Sequence, residues 1–310
     1  LAWRMARVLL ATPPATGGLF TPSPPTTLDI AQNHPVARRM EAGSEPGLFV
    51  LRRPWDDKAK RLKSQITIDE VRKLKGFFAL SAADGGRRVV IVDAADDMNT
   101  NAANALLKVL EEPPKNALLI LVAHQPAGLL PTIRSRCRTL RLGTLQPHDM
   151  AQALKDAEAT IDPSHMAALA ELAQGSVGDA LHILQGDGLK LYSDLVATLG
   201  TLPRMDRARV LALADRCAGR QNEARLDMTL RLLDQLLARL ARTGALGHAP
   251  TVQAAPGEST VLSRLAPDAA AGRIWAARAQ DIGDRARHAR AVNVDGAALM
   301  LDALLALEPA

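Results

Sequence analysis

Aromatic residues are scarce: Trp, Tyr and Phe together make up 3% of the 310 residues, although 47% of the chain is apolar. The core must therefore be built from Ala, Leu and Val, which suit packed helices better than a sandwich, and an all-β architecture is disfavoured. Cysteine is equally rare. Cys137 and Cys217 stand far apart with no His cluster nearby, which excludes a disulfide framework and a four-ligand zinc site and points to a reducing cytoplasm. No apolar run approaches the roughly 20 residues needed to span a bilayer. The opening LAWRMARVLL carries Arg4 and Arg7 inside its apolar pattern, so it reads as neither signal peptide nor anchor. Neither sign of charge dominates: 38 Lys and Arg against 33 Asp and Glu leave a net +5 spread along the chain, which permits contact with nucleic acid without requiring it.

What is present falls into an α/β part and an all-α part, with a length that fits two or three compact units at roughly 150 residues each. Leu1, Met5, Val8 and Leu9 share one helical face with no capping residue ahead of them, so the chain is expected to begin inside a helix. Residues 11–27 hold five prolines and two glycines and read as a loop. A short strand at 48–52 follows. Thr67 and Glu70 form a capping box, with Ile66 and Val71 as its staple, predicting a helix from Ile68 to Leu80 that Asp84-Gly85-Gly86 ends. VVIVD at 89–93 is a β-branched run suited to a parallel strand covered on both faces. Ala103, Leu106, Leu107 and Leu110 give the next helix, stopped by Pro113-Pro114. Strands are expected at 117–123 and, as RTLRL, at 138–142. Beyond Pro147 only helical periods remain: three short helices near 147–157, 163–174 and 176–185, a break at Gly186-Asp187-Gly188, a long helical stretch including 228–242, and a Gly/Pro/Ala-rich link at 244–257.

Asp93 ends a buried strand, the place where phosphate-bound Mg²⁺ is held in P-loop proteins; with Asp96 and Asp97 beside it, a plain acidic turn is an equal reading. The stretch NALLKVLEEPPKNALLILVAHQPAGLLPTIRSRCRTLRL at 104–142 is more specific. Through ALLK-x-LEEPP and Ser135-Arg136-Cys137 it resembles the clamp-loader branch of AAA+ proteins, both the gamma/tau ATPase subunits and the delta-prime subunits of bacterial DNA polymerase III. AGSEPGLFVL at 42–51, the helices up to Gly186 and the final DGAALMLDALL extend the likeness. It implies an α/β AAA+ domain with a P-loop-type parallel sheet at 1–144, a three-helix lid at 145–188 and an all-α collar for oligomerisation at 189–310.

The resemblance also implies that Arg136 is an arginine finger acting in trans on ATP held by a neighbour, with Ser135 and Cys137 supporting the motif; without it, Arg134, Arg136, Arg138 and Arg141 read as a solvated basic edge. No base or second ligand marks Cys137 as a nucleophile, and His124 is a lone histidine. Two positions depart from active members of the family. The glutamate expected after the Walker B aspartate is Ala94, and the lid arginine expected in GSVGDAL is Gly178. The loop GxxxxGK(S/T) is absent too, but the helix at Leu1 resembles the one that follows this loop, so the chain is expected to be truncated at its N-terminus and the absence has no weight. The expectation is a subunit without ATPase of its own and without bound cofactor or zinc, ATP-Mg belonging to the neighbour. Its partners would be gamma/tau and delta subunits in a heteropentamer of the DNA polymerase III holoenzyme, in the cytoplasm, with the sliding clamp and primer-template DNA reached through the complex. The alternatives are a truncated, active gamma/tau-like ATPase and an unrelated α/β protein binding DNA through a basic surface.

Overall fold

The computed structural model describes residues 1–12, 25–58, 60–79 and 86–308. The Pro-rich stretch at 13–24, Leu80 and the expected Asp84-Gly85 stop lie outside the described residues. The chain divides into two compact units, Leu1–Arg141 and Leu142–Ala310.

The first unit begins with α1 (Ala2–Ala11) and α2 (Pro35–Glu41), continues through β1 (Leu48–Arg52), the two-residue strands β2 (Trp55–Asp56) and β3 (Arg61–Leu62), α3 (Ile68–Ala79), β4 (Arg88–Asp93), α4 (Thr100–Glu111) and β5 (Ala117–Leu121), and closes on the single turn α5 (Pro131–Arg134). β1, β4 and β5 form a parallel sheet in the order β1-β4-β5, with Val50 opposite Ile91 and Val90 opposite Leu119. The alternation of β4 explains its continuous apolar run. Val90 and Val92 face one core with Val71, Leu74, Ala102 and Leu106 from α3 and α4, whereas Val89 and Ile91 face another with Ala6, Val36 and Met40 from α1 and α2. All four valine and isoleucine side chains are fully enclosed, as a strand with helices on both faces requires. Asn99 starts α4 by accepting the Ala102 N–H at 2.9 Å.

The expected strand at 138–142 does not form: these residues are irregular, and Leu140 and Leu142 are 65% and 69% exposed. Their alternation suits a half-covered strand, but a strand needs a ladder, and among the described residues β5 is paired only with β4. The β2–β3 hairpin, too short for any period to show, was not anticipated.

The second unit is wholly helical among its described residues: α6 (Pro147–Asp156), α7 (Met166–Ala173), α8 (Val177–Gln185), α9 (Gly188–Leu199), α10 (Arg207–Asp215), α11 (Glu223–Leu246), α12 (Glu258–Leu265), α13 (Ala269–Ala291) and α14 (Gly296–Leu305). Residue 188, the expected boundary, falls inside this unit, where one apolar cluster runs from Met150 and Leu169 through Leu195 and Leu236 to Leu304. Gly175, at φ +76, ends the α7 region where a Cβ would meet the Leu145 nitrogen at 2.6 Å.

Gly244, read from sequence as the start of a link, lies instead within α11 at its crossing with α13. A Cβ there would stand 2.5 Å from the Asp268 carbonyl oxygen and 2.6 Å from the Gly272 nitrogen. Both obstacles are backbone, so the helices must part to admit a methyl group. Gly244→Ala is expected to lower stability by about 1–2 kcal/mol despite the better helix propensity of Ala. Urea unfolding followed by circular dichroism measures it, and an unchanged midpoint would contradict the close crossing.

Candidate functional site

β4 delivers Asp93 to the carboxyl end of the sheet, where its side chain is exposed. The turn beyond it is tied to the end of β5: the Val122 N–H donates to the Val92 carbonyl at 2.9 Å, and the Ala95 N–H to the Val122 carbonyl at 2.7 Å. Asp96 accepts the His124 backbone N–H at 2.6 Å, and Asp97 pairs with Arg53 at 3.1 Å. Both therefore hold the turn together, and His124 contributes its backbone to that bond. Ala94 is buried, at 8% exposure. Its methyl group cannot take a proton from water, so the position after Asp93 holds no general base.

The Ser-Arg-Cys motif follows α5, which Ile133 anchors with a fully buried side chain. As α5 ends, its last carbonyl groups lack helical partners. The Thr132 carbonyl accepts from the Ser135 hydroxyl at 3.1 Å and from Arg136 Nη1 at 3.0 Å, and Nη1 lies 3.5 Å from Ser135 Oγ. Ser135 thus shares an acceptor with Arg136 and helps fix the base of its guanidinium. The other edge of that group, Nη2, meets Glu111 Oε1 at 2.7 Å, with the two side chains 36% and 47% exposed. Glu111 is the last residue of α4, the first glutamate of LEEPP; sequence spacing over 25 residues gave no sign of this pairing. Among the described residues no ion pair is formed by Arg134, Arg138 or Arg141, so Arg136 is set apart from the basic edge it belongs to in sequence. Burial raises the Cys137 thiol above its ordinary pKa, the opposite of an activated thiolate.

In the second unit Ser176 caps α8 by accepting the Asp179 N–H at 3.3 Å. Gly178, in the first turn, has no packing reason to be glycine: a Cβ would meet only Ser176 Oγ, at 4.0 Å. A Cβ is accommodated there without a close contact, and the position carries no charge. Asp179 receives a hydrogen bond from Arg231 Nη1 at 2.7 Å, and this bond is the main reason its pKa is lowered. A depressed carboxyl pKa stabilises the fold above its ordinary value of 3.8 and loses that contribution as pH falls through the folded value. The stability difference between the protein and Asp179→Asn should accordingly be constant near neutrality and close in acid. Thermal unfolding at several pH values tests this, and a gap that widened in acid would reverse the sign.

Residues 24–146 match the family model described as "DNA polymerase III, delta subunit". The DNA polymerase III subunit delta' of Pseudomonas aeruginosa is 48% identical over 98 residues, 32% of this chain and 28% of that protein. Subunit delta' of Escherichia coli is 33% identical over 201 residues, 64% of this chain and 57% of that protein. DNA polymerase III subunit tau of Escherichia coli is 30% identical over 208 residues, 60% of this chain and 32% of that protein. The chain therefore spans little more than half, at most, of the length of these relatives. By these matches the chain is similar, over part of its length, to clamp-loader subunits of DNA polymerase III, and over residues 24–146 to their delta family.

Proposed function

We propose that the chain is a non-catalytic, delta'-like subunit of a DNA polymerase III clamp loader, supplying Arg136 in trans to ATP on an adjacent gamma/tau subunit as the sliding clamp is loaded. The observation that supports this most is the guanidinium of Arg136, partly exposed and held at its base by the Thr132 carbonyl at 3.0 Å. A planar, permanently protonated fork suits phosphate oxygens on which charge builds during transfer. Ala94 and Gly178 support a passive role, since one removes the water-polarising carboxylate and the other the lid cation of an active site. In this reading residues 145–188 serve as the lid and 189–310 as the collar that joins gamma/tau and delta in a heteropentamer, ATP-Mg is the neighbour's, and neither zinc nor a cofactor of its own is involved. Primer-template DNA is met through the complex.

The test is hydrolysis by the reconstituted complex with and without Arg136→Ala, together with hydrolysis by the chain alone. Slower turnover in the complex and none in the isolated chain is the expected pair of results. Similarity to tau over 60% of the chain favours a second reading, an active gamma/tau-like ATPase. Turnover by the purified chain would select it.

A further inference from the structure

Arg136 has two close partners of different kinds, each within 3.0 Å. Thr132 offers a neutral carbonyl four residues back on the same turn, at 3.0 Å from Nη1, while Glu111 offers a full negative charge from the end of another helix, at 2.7 Å from Nη2. The first fixes where the guanidinium sits. The second also cancels its charge and occupies one edge of the fork. A phosphate approaching Arg136 meets a pair of zero net charge with a carboxylate at its side, not a free cation.

We propose that Glu111 is a positioning residue that parks the Arg136 guanidinium in the unengaged subunit, and must release it before Arg136 can serve a neighbour's phosphate. This rests on the finger reading above. Both side chains are more than one-third exposed, and such pairs contribute at most about 1 kcal/mol. The parked state is therefore easily left once a multiply charged phosphate offers the fork a bidentate partner. The same small magnitude sets the effect of deleting the carboxylate: removing it leaves the Thr132 anchor in place and the cation unneutralised. Glu112 provides a built-in control, being adjacent in sequence and exposed, with no ion pair to Arg136.

The experiment is resting ATP hydrolysis by the reconstituted complex, without clamp or DNA, carrying Glu111→Gln, Glu111→Asp, Glu112→Gln, Arg136→Ala or the double change Glu111→Gln/Arg136→Ala. Glu111→Gln should raise the resting rate about two- to five-fold, the gain corresponding to an exposed pair, and the gain should shrink as salt is added. Glu111→Asp should restore most of the restraint and Glu112→Gln should match the parent complex. With Arg136→Ala already present, Glu111→Gln should add nothing. The inference is overturned if Glu111→Gln leaves the rate unchanged, lowers it as Arg136→Ala does, or raises it equally in the Arg136→Ala background. If Arg136→Ala alone leaves hydrolysis unchanged, the finger reading has failed and the parking role falls with it. Melting curves of the single variants separate all of these from loss of fold.

Discussion

On the proposed finger reading, replacing Arg136 with alanine should slow hydrolysis at the neighbouring site by about 10³-fold or more, the range over which arginine fingers act in phosphoryl transfer. The loss is expected in the chemical step because little of the fold rests on this side chain, whose one ion pair is with an exposed glutamate. The side chain is 36% exposed, α5 stays anchored by Ile133, and the Thr132 carbonyl keeps the Ser135 hydroxyl as donor. Assembly should survive. Arg136→Lys is expected to recover little, since an ammonium offers a point charge where the fork offers paired donors in a plane. Steady-state turnover by the whole complex would fall less than the site itself if other sites keep working, so single-turnover hydrolysis is the measurement to make. An unaltered single-turnover trace would remove Arg136 from the chemistry.

The fold of the first unit was legible where burial repeats along the chain. VVIVD announced a strand enclosed on both faces, and 103–110 announced α4, because in each the environment alternates with the period of the element. RTLRL had the alternation without a partner strand to pair with, which no local pattern can reveal. Gly244 was misread because glycine marks both linkers and close helix crossings, and only the Gly272 backbone opposite decides between them. The candidate residues divide in the same way. Arg136, Ala94 and Gly178 each stand in a linear motif, but Glu111 lies 25 residues from Arg136 and meets it only because α4 and α5 pack together. Arg239 occupies the apolar stripe of α11, three residues after Leu236 and seven after Leu232, where a solvated arginine does not belong.

That arginine gives the second large effect. Arg239 is 2% exposed and Glu258 0%, with Nε donating to Oε1 at 2.6 Å and Nη2 to Oε2 at 3.2 Å. Nη2 also reaches the Val252 carbonyl at 2.8 Å, and Nη1 binds Glu171. Glu258 in turn accepts the Tyr192 hydroxyl and the Ala254 N–H, each at 2.6 Å. Burial, then the adjacent Glu258 charge, pushes the Tyr192 hydroxyl far above its ordinary pKa, so it stays a donor. One guanidinium thereby ties α11 to α7, α12 and the loop before α12. Arg239→Met fills similar volume but strands the Glu258 carboxylate without its counter-charge, and should cost about 3–5 kcal/mol. The loss is a penalty of mismatch, not a measure of the pair's net worth, and this makes a sharper expectation possible. Replacing the group together, as Tyr192→Phe, Arg239→Met and Glu258→Leu, should recover most of the loss, because an apolar cluster leaves few buried polar atoms unmet. Trp275 reports on this unit: it is 5% exposed and donates to the Leu265 carbonyl at 2.8 Å, whereas Trp3 and Trp55 are 43% and 54% exposed. In a background with Trp3→Phe and Trp55→Phe, its fluorescence during urea unfolding follows the second unit alone. A triple variant no more stable than Arg239→Met would mean that the ions are worth more together than the apolar packing that replaces them.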